Sequence, residues 1–128
     1  MVSVAIFDYG AGNIFSLKNS LEQAGASVDV ITSFDKPNVY SGLLLPGVGN
    51  FDPAIKSINE NSKTKFQDFV KQNTPVLGIC LGMEMFFEKS EEGIEKGFNV
   101  IDGEIVVLPS TVKVPHMGWN NLEIKRPG

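Results

Sequence analysis

The sequence predicts an α/β fold, a mostly parallel sheet covered by helices on both faces. Three observations predict it. The strand candidates Leu43-Leu44-Leu45 and Val76-Leu77-Gly78-Ile79 are continuous apolar runs, as strands buried on both faces are. Segments with apolar residues three or four apart, the spacing of a helix face, separate the strand candidates. The order strand, helix, strand, strand, helix, strand then suits crossover connections between parallel neighbours. A chain of 128 residues has room for one domain, expected to span 1–128.

Each element has its own signal. Val4-Ala5-Ile6-Phe7 is a short apolar strand ended by the glycine turn Asp8-Tyr9-Gly10-Ala11-Gly12-Asn13. Ile14, Leu17, Leu21 and Ala24 make a helical stripe, and Gly25 supplies the stop. Val28-Asp29-Val30-Ile31 alternates as a strand, and Ser33-Phe34-Asp35-Lys36-Pro37 is loop. Leu43-Leu44-Leu45 follows, closed by Pro46-Gly47-Val48-Gly49. Asp52-Pro53 opens a helix, a cap followed by proline at the first helical position, and Ile55 and Ile58 continue it. Phe66, Phe69 and Val70 form a second stripe beyond the polar Asn59-Glu60-Asn61-Ser62. Asn73-Thr74-Pro75 stops it before the strand Val76–Ile79. After Gly93 a β-rich C-terminal extension is expected, with Phe98–Ile101, Glu104–Leu108, Lys113-Val114 and Leu122–Ile124 as short strands.

Composition narrows the function classes. Eleven Lys plus Arg against 15 Asp plus Glu give a formal charge of −4. Nucleic acid and anionic membranes need clustered cations, so neither is an expected partner. No apolar run approaches the roughly 20 residues of a membrane span, and Met1-Val2-Ser3-Val4 lacks the charged region of a secretion signal, so a cytoplasmic protein is expected. One cysteine forms no internal disulfide, and with one histidine it builds no zinc site; no metal or cofactor is expected.

The chemistry-bearing feature is Gly78-Ile79-Cys80-Leu81-Gly82, after a buried strand and before the helix candidate Met83–Glu88. Glycine two before and two after a nucleophile is the nucleophile-elbow pattern, here with sulfur as the attacking atom. The turn is sharp, so small flanking residues are needed. Cys80 at a helix N-terminus gains thiolate character, and the Leu81 N–H points toward an oxyanion on an attacked carbonyl. A buried structural cysteine is the plainer alternative. Gly47, Val48 and Gly49 end the neighbouring strand and offer a second oxyanion donor, or simply a turn. Gly10-Ala11-Gly12 lacks the third glycine of a dinucleotide loop, because Phe15 stands there, and it is read as a turn. His116 is a tempting base for the thiol, but beside Trp119 it suits an interface equally well. Ser90-Glu91-Glu92-Gly93 reads as an acidic turn ending a helix.

Taken together, Asp8-Tyr9-Gly10, Gly12-Asn13, Pro46–Gly49, Leu77–Met83, Ser90–Gly93 and Lys113–Asn120 resemble the class I, triad-type glutamine amidotransferases. Within them, they are most similar to the branch that feeds ammonia to a cyclase subunit in histidine biosynthesis. The resemblance implies hydrolysis of glutamine to glutamate and ammonia through a thioester on Cys80. It implies that Gly47, Val48, Gly49 and Leu81 serve the oxyanion and substrate, and that Asn13, His116, Trp119 and Asn120 meet the cyclase. The sequence departs from the family twice. The family's His-Pro-Glu-like segment, which carries the base and its orienting glutamate, is absent, so the chain is expected to be the N-terminal two-thirds of such a domain, inactive or weak alone. Glu84 stands where the family carries a substrate-holding glutamine; it opposes thiolate formation or binds the substrate's ammonium group. The competing readings are a peptidase, chaperone or deglycase of the wider cysteine-elbow superfamily, and a non-catalytic fragment that binds a partner.

Overall fold

The computed structural model describes residues 1–35 and 39–127; Lys36 and Pro37 of the expected loop, and Gly128, lie outside the described residues. Four strands, β1 (Ser3–Phe7), β2 (Ser27–Ile31), β3 (Gly42–Leu45) and β4 (Val76–Gly78), form one sheet in the order β2-β1-β3-β4. Every pairing in it is parallel. Parallel strands require crossovers: α1 (Ile14–Gln23) supplies the one from β1 to β2, and α2 (Phe51–Ser57) with α3 (Glu60–Lys71) the one from β3 to β4. The expected architecture is therefore present, with a helix on one face and two on the other.

The faces divide the apolar residues by alternation. Ala5, Phe7, Leu43 and Leu45 face a core built with Phe51, Ile55, Phe66 and Phe69 from α2 and α3. Ile6, Val28 and Leu44 face the other way, against Ile14, Leu17 and Leu21 of α1. All four residues of β3 are buried, as a central strand covered on both sides must be. The expectation that Val76–Ile79 is fully buried fails, since Leu77 is 57% exposed and Ile79 38%. β4 is an edge of the sheet, and α1 packs against β2 at the opposite edge, so nothing described covers this end of its face.

Local chemistry sets the helix ends. The Asn13 side chain accepts a hydrogen bond from the Ser16 amide at 3.1 Å, and Gly25 leaves the helix at φ +90°. The second helix begins two residues earlier than expected, at Phe51 after Asn50, with Asp52 in its first turn rather than at the cap. The polar stretch after Ile58 contains a fresh N-cap: the Asn59 side chain accepts from the Ser62 amide at 2.8 Å, which splits the expected helix in two.

Beyond the elbow the expectations fail more broadly. The helix expected to reach Glu88 ends at Glu84 as α4 (Leu81–Glu84). The returning segment captures its next carbonyls: Phe98 N–H donates to Met85 O at 2.7 Å, and Val100 N–H to Phe86 O at 2.8 Å. Phe98–Ile101 therefore bonds to a turn instead of forming a strand. The β-rich extension reduces to β5 (Lys89–Ser90) and β6 (Glu104–Ile105), a two-residue parallel pair. Lys113-Val114 and Leu122–Ile124 form no strand, and their side chains are exposed. β-Propensity does not make a strand without a paired edge and a face to pack on. Among the described residues, no helix is long and apolar enough to cross a membrane.

Candidate active site

Cys80 sits between β4 and α4 with φ 54° and ψ −118°, left-handed backbone that a non-glycine residue adopts only when its surroundings hold it there. The surroundings are tight. A Cβ on Gly78 would lie 2.6 Å from Met83 Cα, and one on Gly82 would lie 1.7 Å from the Leu45 carbonyl oxygen. That oxygen accepts the Ile79 amide at 3.0 Å, tying the start of the elbow to the end of β3. The Cys80 carbonyl accepts from the amides of Met83 at 2.9 Å and Glu84 at 3.1 Å, which turns the chain into α4. Its thiol is free and exposed. The Leu81 amide lies in the first turn of α4, where an amide has no acceptor within the helix.

The Pro46–Gly49 stretch comes up beside this elbow. A Cβ on Gly47 would lie 2.8 Å from Gly82 N and 2.9 Å from Leu81 Cβ, so the two segments touch through backbone. Val48 is 69% exposed, and space beside Gly49 is open. Cys80, Leu81 and Gly47 are thus brought together by the ends of two adjacent parallel strands. The glycine turn after β1 packs behind them, for a Cβ on Gly12 would lie 3.2 Å from Gly47 N. Asp29, the residue a dinucleotide reading would need, accepts a hydrogen bond from the Tyr40 hydroxyl at 3.1 Å within the sheet edge.

Glu84 lies one turn after Cys80, and its Oε2 is buried with no hydrogen-bond partner among the described residues. Burial pushes its carboxyl above the usual carboxylate range, and the negative charge of Glu92 pushes in the same direction. A raised folded-state value means that the native state favours the protonated acid. Stability from this group is complete below the ordinary glutamate range and is lost as pH rises through the raised value. Glu84→Gln is therefore expected to raise the thermal midpoint at neutral pH and to lose that advantage under acid conditions. Midpoints measured across pH check this, and a pH-independent difference would refute it.

The remaining expected residues are dispersed. Ser90–Gly93 does not end a helix; it leaves β5, with the Ser90 hydroxyl oxygen accepting the Glu92 amide at 3.1 Å. Asp52 fixes the turn that follows, its carboxylate accepting the Ile94 and Glu95 amides at 3.0 Å. These amides, Glu95 first, hold the Asp52 carboxyl below its usual range. Asn13 is exposed and caps α1. His116, Trp119 and Asn120 lie on the exposed C-terminal stretch, with Asn120 Nδ2 3.4 Å from His116 Nε2. No hydrogen bond joins these three to the elbow among the described residues. Sequence reasoning missed two site neighbours: Tyr9, which bonds to Pro46, and Glu92, whose charge acts on Glu84. Only Tyr9 had a usable signal, since it follows Phe7 at the two-residue spacing of one strand face.

Comparisons with known proteins give the family of the chain. Residues 5–126 match the family "Glutamine amidotransferase class-I". A protein named imidazole glycerol phosphate synthase subunit HisH, from Halalkalibacterium halodurans, is 42% identical over 132 residues, covering 97% of this chain and 62% of that protein. One with the corresponding name from Cyanophora paradoxa is 36% identical over 129 residues, covering 98% of this chain and 60% of its own length. The chain thus spans about six-tenths of the length of the curated relatives it matches. A solved chain from Thermoplasma acidophilum, described as a GMP synthase subunit, superposes with a TM-score of 0.52 at 21% identity. The match covers 64% of this chain and 41% of that one, a likeness of fold.

Proposed function

The chain belongs to the class-I glutamine amidotransferases, and from that premise we propose that it carries the nucleophile of a glutaminase. In this reading it is the glutaminase subunit of imidazole glycerol phosphate synthase. It hydrolyses glutamine to glutamate and ammonia and supplies the ammonia to the cyclase subunit in histidine biosynthesis, in the cytoplasm. The observation that carries the reading is the contact of Gly47 with Leu81 and Gly82 beside a left-handed Cys80.

The sulfur of Cys80 attacks the side-chain amide carbon of glutamine. A C–S bond forms, and the carbonyl π pair moves onto oxygen. In this reading the Leu81 N–H and the amides of Gly47, Val48 and Gly49 donate to that oxyanion, stabilising the charge where it develops. Collapse breaks the C–N bond, and the nitrogen leaves as ammonia with the proton that the Cys80 thiol gave up, giving the glutamyl thioester. Water then attacks the thioester, releasing glutamate and returning the thiol. Proton transfer by a positioned base is worth about 10²–10⁴-fold. His116 is not assigned that task, because in this reading it faces the cyclase together with Asn13, Trp119 and Asn120. Trp119 is fully exposed, the state of an anchor waiting for a partner's pocket.

The chloroketone analogue of glutamine tests the reading. It is expected to alkylate Cys80 in the wild-type chain, read by mass spectrometry, and Cys80→Ala is expected to abolish the adduct. Ammonia release from glutamine, measured with the cyclase present, is expected to fall to the uncatalysed level in the same variant. Equal modification of the alanine variant would overturn the assignment.

A further inference from the structure

Residues 46–49 carry the oxyanion donors in the reading above, yet very little holds them. Pro46 and Gly47 are buried, Val48 is exposed, and a side chain on Gly49 would meet nothing. Behind the loop lies an open cleft of about 300 Å³ lined by Tyr9, Gly10, Val48, Gly49 and Pro53. Among the described residues, one hydrogen bond reaches the stretch: the Tyr9 hydroxyl donates to the Pro46 carbonyl at 2.6 Å. We propose that Tyr9 is a positioning residue of the amidotransferase site, its hydroxyl fixing the Pro46–Gly47 peptide so that the loop's amides face the carbonyl attacked by Cys80. The proposal rests on the glutaminase reading and adds to it a residue that does not touch substrate.

The geometry makes the hydroxyl more than a surface contact. A Cβ on Gly47 would lie 2.3 Å from the Tyr9 oxygen on one side and 2.8 Å from Gly82 N on another. Gly47 is therefore clasped between the phenol and the first turn of α4. The carbonyl and the following amide share one rigid plane, so fixing Pro46 O also fixes the direction of Gly47 N–H. The ring is itself anchored, half-buried and stacked on Phe7 with centroids 5.8 Å apart. Burial first, and then the charge on Cys80, push the phenol's proton affinity upward, which keeps it a neutral donor.

The test compares two reagents on the whole 128-residue chain. Iodoacetamide alkylates the thiol without using an oxyanion donor, whereas the chloroketone analogue presents a carbonyl to the loop. Tyr9→Phe is expected to leave the iodoacetamide rate constant within about twofold and to lower the chloroketone rate constant about tenfold or more, the effect of a small misplacement at a reacting centre. p-Aminophenylalanine at position 9, which returns a donor on the same ring, is expected to restore the ratio. If Tyr9→Phe does not fold, that second variant still decides, because a ratio lost while a donor is present overturns the proposal. Equal loss toward both reagents, or no loss, also overturns it and leaves the glutaminase reading standing. Absence of chloroketone labelling in the wild-type chain overturns both.

Discussion

Gly82→Ala is expected to destabilise this protein more than any other single added methyl group close to Cys80. The new Cβ would lie 1.7 Å from Leu45 O and 2.6 Å from Leu45 C, and both atoms are backbone of a buried central strand. No rotamer relieves such a clash, so either α4 or β3 must move. Moving either breaks the bond from Ile79 N–H to Leu45 O that anchors the elbow. Overpacking in a rigid interior costs about 3 kcal/mol and sometimes more. Urea unfolding of the two chains measures it. Gly118→Ala is the control, because a Cβ there meets nothing within 4 Å and that residue's φ is not positive. If the two variants unfold at the same urea concentration, the elbow is looser than its contacts indicate.

Phe66→Ala is the second large effect, expected to cost about 3–5 kcal/mol. Phe66 on α3 is fully buried and packs its ring against Phe98 at 4.3 Å, Phe34 at 5.7 Å and Phe86 at 5.9 Å between centroids. These partners come from three separate segments: the loop after β2, the turn after α4, and the returning chain at 97–101. Deleting one ring opens a cavity that none of them can fill alone, because Phe86 and Phe98 are held by their own backbone bonds. Phe15→Ala is the comparison, for Phe15 is 75% exposed and its loss is expected to stay within about 0.5 kcal/mol. Thermal or urea unfolding of both variants checks the contrast, and equal losses would refute it.

The parts of the fold legible in the sequence are those where one local signal decides. Leu43-Leu44-Leu45 reads as a strand covered on both faces and is one, while the division of Ala5 and Phe7 from Ile6 between the two faces came only with the structure. The elbow was legible for a similar reason, since two glycines around a cysteine after a buried strand satisfy a steric demand that few other arrangements make. What was not legible depends on tertiary competition. Asp52 has the chemistry of a cap, but its carboxylate is taken by two amides more than 40 positions away, and Asn50 stands at the helix start instead. Phe98–Ile101 has the composition of a strand, but the open carbonyls of Met85 and Phe86 claim its amides first. The expected β-rich extension had propensity and no partner edge. Tyr9 escaped notice as a site residue because its importance lies in a hydroxyl 37 positions from the carbonyl it holds.

The left-handed backbone at residue 80 also restricts the alphabet of that position. At φ 54° a side chain branched at Cβ collides with its own flanking peptides, whereas an unbranched one is tolerated. Serine could inherit the place of the sulfur and keep the turn; threonine, valine and isoleucine could not. The set of nucleophiles open to this lineage is thus narrowed by geometry before reactivity is selected at all. An exchange between sulfur and oxygen chemistry leaves the scaffold untouched, and a single extra methyl on the same carbon forecloses it.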